Sequence, residues 1–361
     1  MSHPRHPLAL VALAATVLTV AAAHAGDAAA ALPPYEIGQG LSFPDQQLDL
    51  GGYLSLQYDN LSGQEAVFSV PDLSLFVGKR LNARWSLFTE LEVGDALQVD
   101  TDGQVAHNQE FDVERLYAEY RASPAVNLRF GKFLTPVGRW NMVHADPLVW
   151  TVSRPLTATA AFPRHAVGMM AYGSIPAAGH DLDYWAFVDD TAALDPWETD
   201  EPAFDLPGSS VTVSNVFDKA AGGRLLYHLF DDHLSLGASY VYFESREETQ
   251  DKNLLGLDFF WEGPYLELSG EAVYRTTDGW SQSDERGGFV QLAVPLPHQW
   301  WLIGRYERYQ ADVLDADPRL NTLGLTYRPI PPVSFKLEYR TGSDNDAVAP
   351  DGWLASMAVL F

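Results

Sequence analysis

From about residue 47 onward, hydrophobic residues occupy every second position in run after run, and the gaps between runs alternate between short and long. In the first run Leu48, Leu50, Leu54, Leu56 and Tyr58 share one face, while Gln47, Asp49, Ser55 and Gln57 share the other. This is the period of two that marks a half-buried strand. About sixteen such strands are predicted, at 47–58, 70–80, 84–94, 111–121, 125–134, 165–174, 180–190, 217–229, 233–244, 252–262, 264–276, 286–296, 299–311, 319–329, 333–342 and 352–361. The sixth is the least regular, its two faces being about equally apolar. Proline occurs in most of the short gaps (Pro124, Pro176, Pro264, Pro297, Pro331, Pro332), where no ladder donor is lost. A soluble sheet has no reason to alternate its gaps. A barrel threaded through a membrane does, with tight turns on one side and elaborated loops on the other. The expected fold class is therefore all-β: a closed antiparallel transmembrane β-barrel of about sixteen strands, apolar faces toward lipid and polar faces toward a wet bore.

Aromatic residues gather near the predicted strand ends: Tyr58, Trp85, Trp140, Trp150, Tyr184, Trp261, Tyr274, Trp300, Trp301, Tyr327, Tyr339 and Trp353. Their amphipathic rings suit the headgroup level of a bilayer. The start of the chain has a different character. Arg5, the uncharged run Leu8 to Val20 and Ala23-His24-Ala25 form the three regions of a secretory leader, so residues 1–25 are expected to be a signal peptide. Residues 26–46, with Pro33, Pro34 and Pro44, show no period and are expected to form a periplasmic lead-in to a barrel domain at 47–361.

Net charge is -25, which makes nucleic acid an improbable partner. Acids cluster in the gaps, notably Asp189 to Asp205, Asp312 to Asp317 and Asp344 to Asp351. They read as solvated loop surface, with an acidic mouth that gathers cations as the sharper interpretation. Cysteine is absent, so there is no disulfide framework and no thiolate chemistry.

The gap at 135–164 is the longest. Loops of that length are functional or disordered, and its prolines and apolar residues (Pro136, Pro147, Leu148, Val149, Trp150, Pro155, Pro163) suggest an ordered, packed segment. Arg139, His144, Asp146 and Arg154 are its candidate functional residues. The strands around it present Glu90, Arg115, Tyr117, Glu119, Arg121 and Arg129 on their polar faces, and Lys336, Glu338 and Arg340 do so on the fifteenth strand. These are candidate pore-lining residues. Opposed charges across a narrow water path can act as a filter. Arg115, Arg121 and Arg129 would form a basic wall that Asp146 faces, the plainer alternative being cross-strand ion pairs with Glu119 and its neighbours.

The alternating strands, the long third loop and the terminal Phe361 resemble a Gram-negative general porin. The stretch Gly131-Lys132-Phe133 with Pro136-x-Gly138, ahead of Arg154-Pro155, resembles the family that includes the phosphate-selective porins. The resemblance implies an outer-membrane diffusion channel for small hydrophilic solutes, a third loop folded inward as a constriction, and in many members a homotrimer. It also implies outer-membrane lipid and lipopolysaccharide as surroundings. The last strand (Trp353, Ala355, Met357, Val359, Phe361) is similar to the C-terminal signal read by barrel-assembly machinery. Phosphate selectivity does not carry over, because this chain is acidic and its predicted lumen face is mixed in charge.

Enzymatic readings are weak. His228 and Ser235 flank one short turn, and no phosphate-binding loop or HExxH motif is present. No cofactor is implied, and no metal site is predicted, since the acidic gaps lack a calcium-loop pattern. The alternative to a channel is a non-transporting barrel, such as an adhesin, receptor or envelope-structural protein, which a filled lumen would favour.

Overall fold

The computed structural model describes residues 33, 35–106, 110–198, 202–203, 206–211, 213–246, 248–278, 284–311, 314 and 316–361. The leader expected at 1–25 lies outside them. The frame is a set of sixteen antiparallel strands: β1 (Leu48–Leu61), β2 (Val67–Arg80), β3 (Trp85–Asp100), β4 (Glu110–Ser123), β5 (Val126–Leu134), β6 (His165–Ala177), β7 (His180–Asp189), β8 (Phe217–Leu229), β9 (Leu234–Ser245), β10 (Glu248–Glu262), β11 (Glu267–Thr277), β12 (Glu285–Leu296), β13 (Trp300–Ala311), β14 (Arg319–Ile330), β15 (Val333–Ser343) and β16 (Gly352–Leu360). Each pairs with the next. β16 pairs back onto β1, from Gly352↔Leu61 to Leu360↔Tyr53, so the sheet closes. Closure leaves no strand edge in contact with lipid, the condition for backbone groups inside a bilayer.

Alternation of side chains sets the two faces. In β9, Ser235, Gly237, Ser239, Val241 and Phe243 are buried, while Leu236, Ala238, Tyr240 and Tyr242 are exposed. Large apolar side chains stand outward all around, among them Leu73, Leu87, Leu116, Leu225, Leu257, Leu302, Leu323 and Leu337. Glu90, Arg224, Asp258, Glu271, Arg305, Glu307, Lys336, Glu338 and Arg340 are buried on the other face.

Three sequence expectations change. Within the stretch read as a patternless lead-in, Tyr35–Glu36 and Gly40–Phe43 are short strands, and the second pairs with β1 (Leu41↔Leu50, Phe43↔Leu48). The reason is that β16 ends opposite Tyr53, so the first residues of β1 would otherwise present unpaired backbone groups. Next, the gaps after β1 and β9 are as short as turns, because the ladder continues to Asp59↔Val67 and Ser245↔Glu248. Backbone pairing needs no hydrophobic side chains and so runs past the alternating band. Finally, the bore is not wet throughout. Phe133, Leu156, Phe162, Met170, Phe187, Phe217, Phe243 and Leu254 form one buried apolar cluster, with Phe133 edge-on to Phe187 at 6.3 Å and Phe217 edge-on to Phe243 at 5.2 Å. A short helix, α1 (Leu156–Ala160), supplies the apolar partner from the long segment. This also explains β6, whose second face (Ala166, Met170) packs on that cluster while Met169 faces out.

Candidate functional site

The segment 135–164 starts and ends at one pinched neck. Thr135 donates its backbone N–H to the Arg164 carbonyl (2.7 Å) and its hydroxyl to the Pro163 carbonyl (2.8 Å). Asn141 donates to the carbonyls of Thr135 (2.8 Å) and Arg164 (3.1 Å). Gly138 takes a left-handed φ of +62°, and a Cβ there would meet the Glu271 carboxylate at 2.3 Å. Only glycine lets the backbone turn so close to that acid.

A long segment with little regular structure exposes backbone N–H and C=O groups that must find partners wherever water is excluded. The inward faces of β11 and β13–β15 supply them. Carboxylates take the N–H groups: Glu271 accepts from Arg139 and Trp140 (both 2.7 Å), Glu338 from Val152 (2.8 Å) and Ser153 (3.2 Å), and Glu307 from Leu156 (2.8 Å). Cations and a hydroxyl take the carbonyls. Arg305 donates to Ser153 (2.9 Å), Arg275 to Ala161 (3.0 Å), Lys336 to Asp146 (2.6 Å), Arg328 to Val149 (3.1 Å) and Thr326 to Trp150 (2.7 Å). Charged partners make these hydrogen bonds roughly twice as strong as neutral ones.

The predicted wall residues come together as pairs. Glu90 and Arg115 form a cross-strand ion pair between β3 and β4, and the Arg115 guanidinium lies 4.8 Å from the Phe88 ring centroid. Glu119 bridges Arg121 (2.8 Å) and Arg129 (3.0 Å), and Arg129 covers Tyr117 at 4.1 Å. A bulge follows the Glu90–Arg115 pair, with Leu91 opposite Val113. The extra residue, Glu114, reaches His165 (3.0 Å). Lys336, Glu338 and Arg340 are buried, and Arg340 donates to the carbonyls of Pro350 (3.0 Å) and Pro207 (3.1 Å). All three act as anchors beneath loops.

The segment's own candidates separate. Asp146 does not meet the Arg115 wall. It is bonded to Lys336 (2.7 Å) and Ser55 (3.1 Å), on β15 and β1. His144 is the residue that approaches the β3 side, with Nε2 3.6 Å from Glu90. Arg154 donates to the His144 carbonyl (2.9 Å), and the Arg139 guanidinium lies 3.8 Å from the Phe260 centroid. Three tryptophans expected at the membrane surface are elsewhere. Trp140 is buried, and Trp150 packs on Trp301 with centroids 4.4 Å apart. Trp150 also donates to Glu267 (2.8 Å). The period of two marks a face, and on the polar face an aromatic ring can serve the interior equally well.

Two cavities flank the segment. One, of about 570 Å³, lies toward the long-loop end beside β1–β4 and is lined by Asp59, Glu65, Asp72, Glu92, Asp95, Asp112, Glu114 and Asp146 against Arg154 and Arg164. The other, of about 290 Å³, lies toward the short-turn end and includes Arg139, Trp140, Trp150, Phe260 and Arg328. Glu271, Arg305 and Glu307, which hold the segment, are not among the candidates read from the sequence. Their signal is acids and bases alternating at inward positions on strands far from it in sequence. His228 and Ser235 also meet, with Nδ1 3.4 Å from Oγ and Nε2 3.0 Å from Asp183.

Comparison with known proteins gives a consistent picture. Residues 45–173 match the family described as phosphate-selective porin O and P. An uncharacterized protein of Aquifex aeolicus (strain VF5) is 23% identical over 386 residues, spanning 94% of this chain and 84% of its own length. Among solved structures, the trimer form of OmpT, an outer membrane protein of Vibrio cholerae, aligns at 11% identity and a TM-score of 0.57, covering 87% of this chain and 99% of that one. The anion-selective porin from Comamonas acidovorans aligns at 12% identity and a TM-score of 0.56, with the same coverage. These two likenesses establish the fold.

Proposed function

We propose that this chain, which resembles the outer-membrane porins, is a passive diffusion channel of the Gram-negative outer membrane for small hydrophilic solutes or ions. Residues 135–164 narrow its bore against a wall of mixed charge. The observation that carries this reading is the pinned segment. Its backbone is hydrogen-bonded to inward-facing charges of β11 and β13–β15, and a cavity of about 570 Å³ is left beside β1–β4. The acids of that cavity favour entry of cations over anions, so phosphate selectivity is not part of the proposal. Leader removal at 1–25, assembly through a C-terminal signal at Phe361, contact with lipopolysaccharide and a homotrimeric state complete the reading.

The test is single-channel recording of the purified protein in a planar bilayer. Discrete open steps are expected, with a reversal potential on the cation side in a salt gradient. Silence from protein whose β-rich circular dichroism and detergent-resistant migration show it to be folded would overturn the channel. It would favour a non-transporting receptor or envelope-structural barrel, the reading that the apolar cluster inside the bore supports. Channel function calls for no catalytic group. The Asp183–His228–Ser235 contact is read as wall polarity, because its 3.4 Å link is at the long limit of a hydrogen bond. Ester hydrolysis that is lost in Ser235→Ala would contradict that.

A further inference from the structure

The smaller cavity has a composition that the channel reading does not use. It opens at the short-turn end, between the end of β10, the start of β11 and the segment 139–150, and encloses about 290 Å³. Its walls are aromatic (Trp140, Phe259, Phe260, Phe289). Two guanidinium groups border it, each seated over a ring: Arg139 at 3.8 Å from the Phe260 centroid and Arg328 at 3.8 Å from the Trp150 centroid. Trp150 is in turn backed by Trp301.

The polar groups of this cavity are unequally occupied. Its acids are largely spent inside the protein: Glu271 accepts two backbone N–H bonds, Glu267 accepts the Trp150 indole, and Glu262 stands exposed at the rim. The guanidiniums are not. Among the described residues neither makes an ion pair. Arg328 gives one hydrogen bond, to the Val149 carbonyl, and its buried Nε has no acceptor. A guanidinium stacked on a ring keeps its N–H groups in the plane of the fork, pointing past the ring edge, which is the arrangement that takes a carboxylate with two parallel bonds. An apolar wall next to such donors selects a ligand that is part apolar and part anionic.

We propose that this cavity binds a small organic anion in which a carboxylate is joined to an apolar, preferably aromatic, body. The carboxylate takes the free edges of Arg139 and Arg328, and the body rests among Trp140, Phe259 and Phe289. The inference rests on the channel reading only for how the anion arrives. The site itself is read from its walls.

Isothermal titration calorimetry of the full-length barrel in detergent, with sodium benzoate as the probe, tests the site without requiring conductance. Saturable binding is expected. Benzamide, which keeps the ring and loses the charge, and inorganic phosphate, which keeps charge and loses the ring, should each bind roughly tenfold more weakly. Arg139→Gln and Arg328→Gln should each weaken benzoate by a similar factor. Absence of saturable heat up to roughly 50 mM benzoate would overturn the proposal. So would benzamide binding as well as benzoate, or an Arg139→Gln, Arg328→Gln double variant that binds unchanged. Phosphate equal to benzoate would mark a plain anion site and remove the apolar half of the claim. If a variant fails to fold, the benzoate–benzamide contrast on unaltered protein still decides the matter. A silent bilayer with intact benzoate binding would sink the channel and leave the site standing. A conducting barrel with no benzoate heat would do the reverse.

Discussion

Glu338 shows how single residues in this barrel carry the architecture. Its two carboxylate oxygens take the N–H groups of Val152 and Ser153, and all three residues are buried. Glu338→Ala leaves both donors without a partner and should destabilise the folded state by about 1–3 kcal/mol. Glu338→Gln keeps one acceptor oxygen and should lose less. Thermal unfolding of the detergent-solubilised barrel, followed by loss of its fast-migrating folded band, measures the difference. Asp317, in the loop between β13 and β14, gives a contrast outside the membrane. Hydrogen bonds from Arg308, and then from Arg319, hold its carboxyl down at about 2. A carboxyl lowered in this way adds to loop order at every pH above the ordinary aspartate range, and that contribution fades as pH falls through about 2. Exchange of the Ala316, Asp317 and Arg319 amides, corrected for intrinsic rate, should therefore be flat above about pH 5, rise progressively as pH falls below about 4 and level off below about 2. At this scale the sequence revealed which face each residue takes, since parity is local. It did not reveal partners. Asp146 was expected opposite Arg115 and is bonded to Lys336, because nothing in a local pattern says which way a long segment crosses a bore.

The strands were legible as elements because lipid on one side and polar groups on the other impose a strict period of two. Their ends were less so. β1, β2, β9 and β10 extend past the stretches read from the sequence, their backbone pairing continuing to Asp59↔Val67 and Ser245↔Glu248. The irregular β6 was read as a weak strand for a sound physical reason: α1 brings apolar atoms into the bore, so its inner face need not be polar. The segment 135–164 is the element on which the proposed narrowing depends. Replacing residues 140–160 by a short glycine–serine linker should leave the sixteen-strand frame assembled and raise single-channel conductance several-fold. Stability should fall as well, because Leu156 and Ala160 leave the apolar cluster. Conductance equal to the parent's would show that the narrow zone is elsewhere.

For the molecule as a whole, closure is the decisive event, and it ends at one contact. Phe361 exchanges two backbone hydrogen bonds with Gly52, both 2.8 Å, beyond the last β16–β1 pair. Its ring occupies the space a side chain at 52 would need: a Cβ there would come within 3.0 Å of the ring and 2.1 Å of the Ser74 carbonyl. Deleting Phe361, or substituting Gly52→Val, should lower the yield of folded barrel in the outer membrane, measured by heat-modifiable migration of membrane fractions. Normal yield from both variants would remove the C-terminus from the assembly step.

The unequal distribution of charge along the bore has one more consequence. Carboxylates crowd the cavity at the long-loop end, and Arg115, Arg129 and Arg121 descend toward the turn after Ser123. Because Glu90 and Glu119 pair with those arginines, the tube is strongly negative at one mouth and nearly neutral toward the other, and such asymmetry rectifies: one voltage polarity concentrates cations in the narrow zone and the opposite polarity depletes them. Currents through protein inserted in one orientation should therefore rectify in dilute salt and become ohmic in concentrated salt, as the fixed charges are screened.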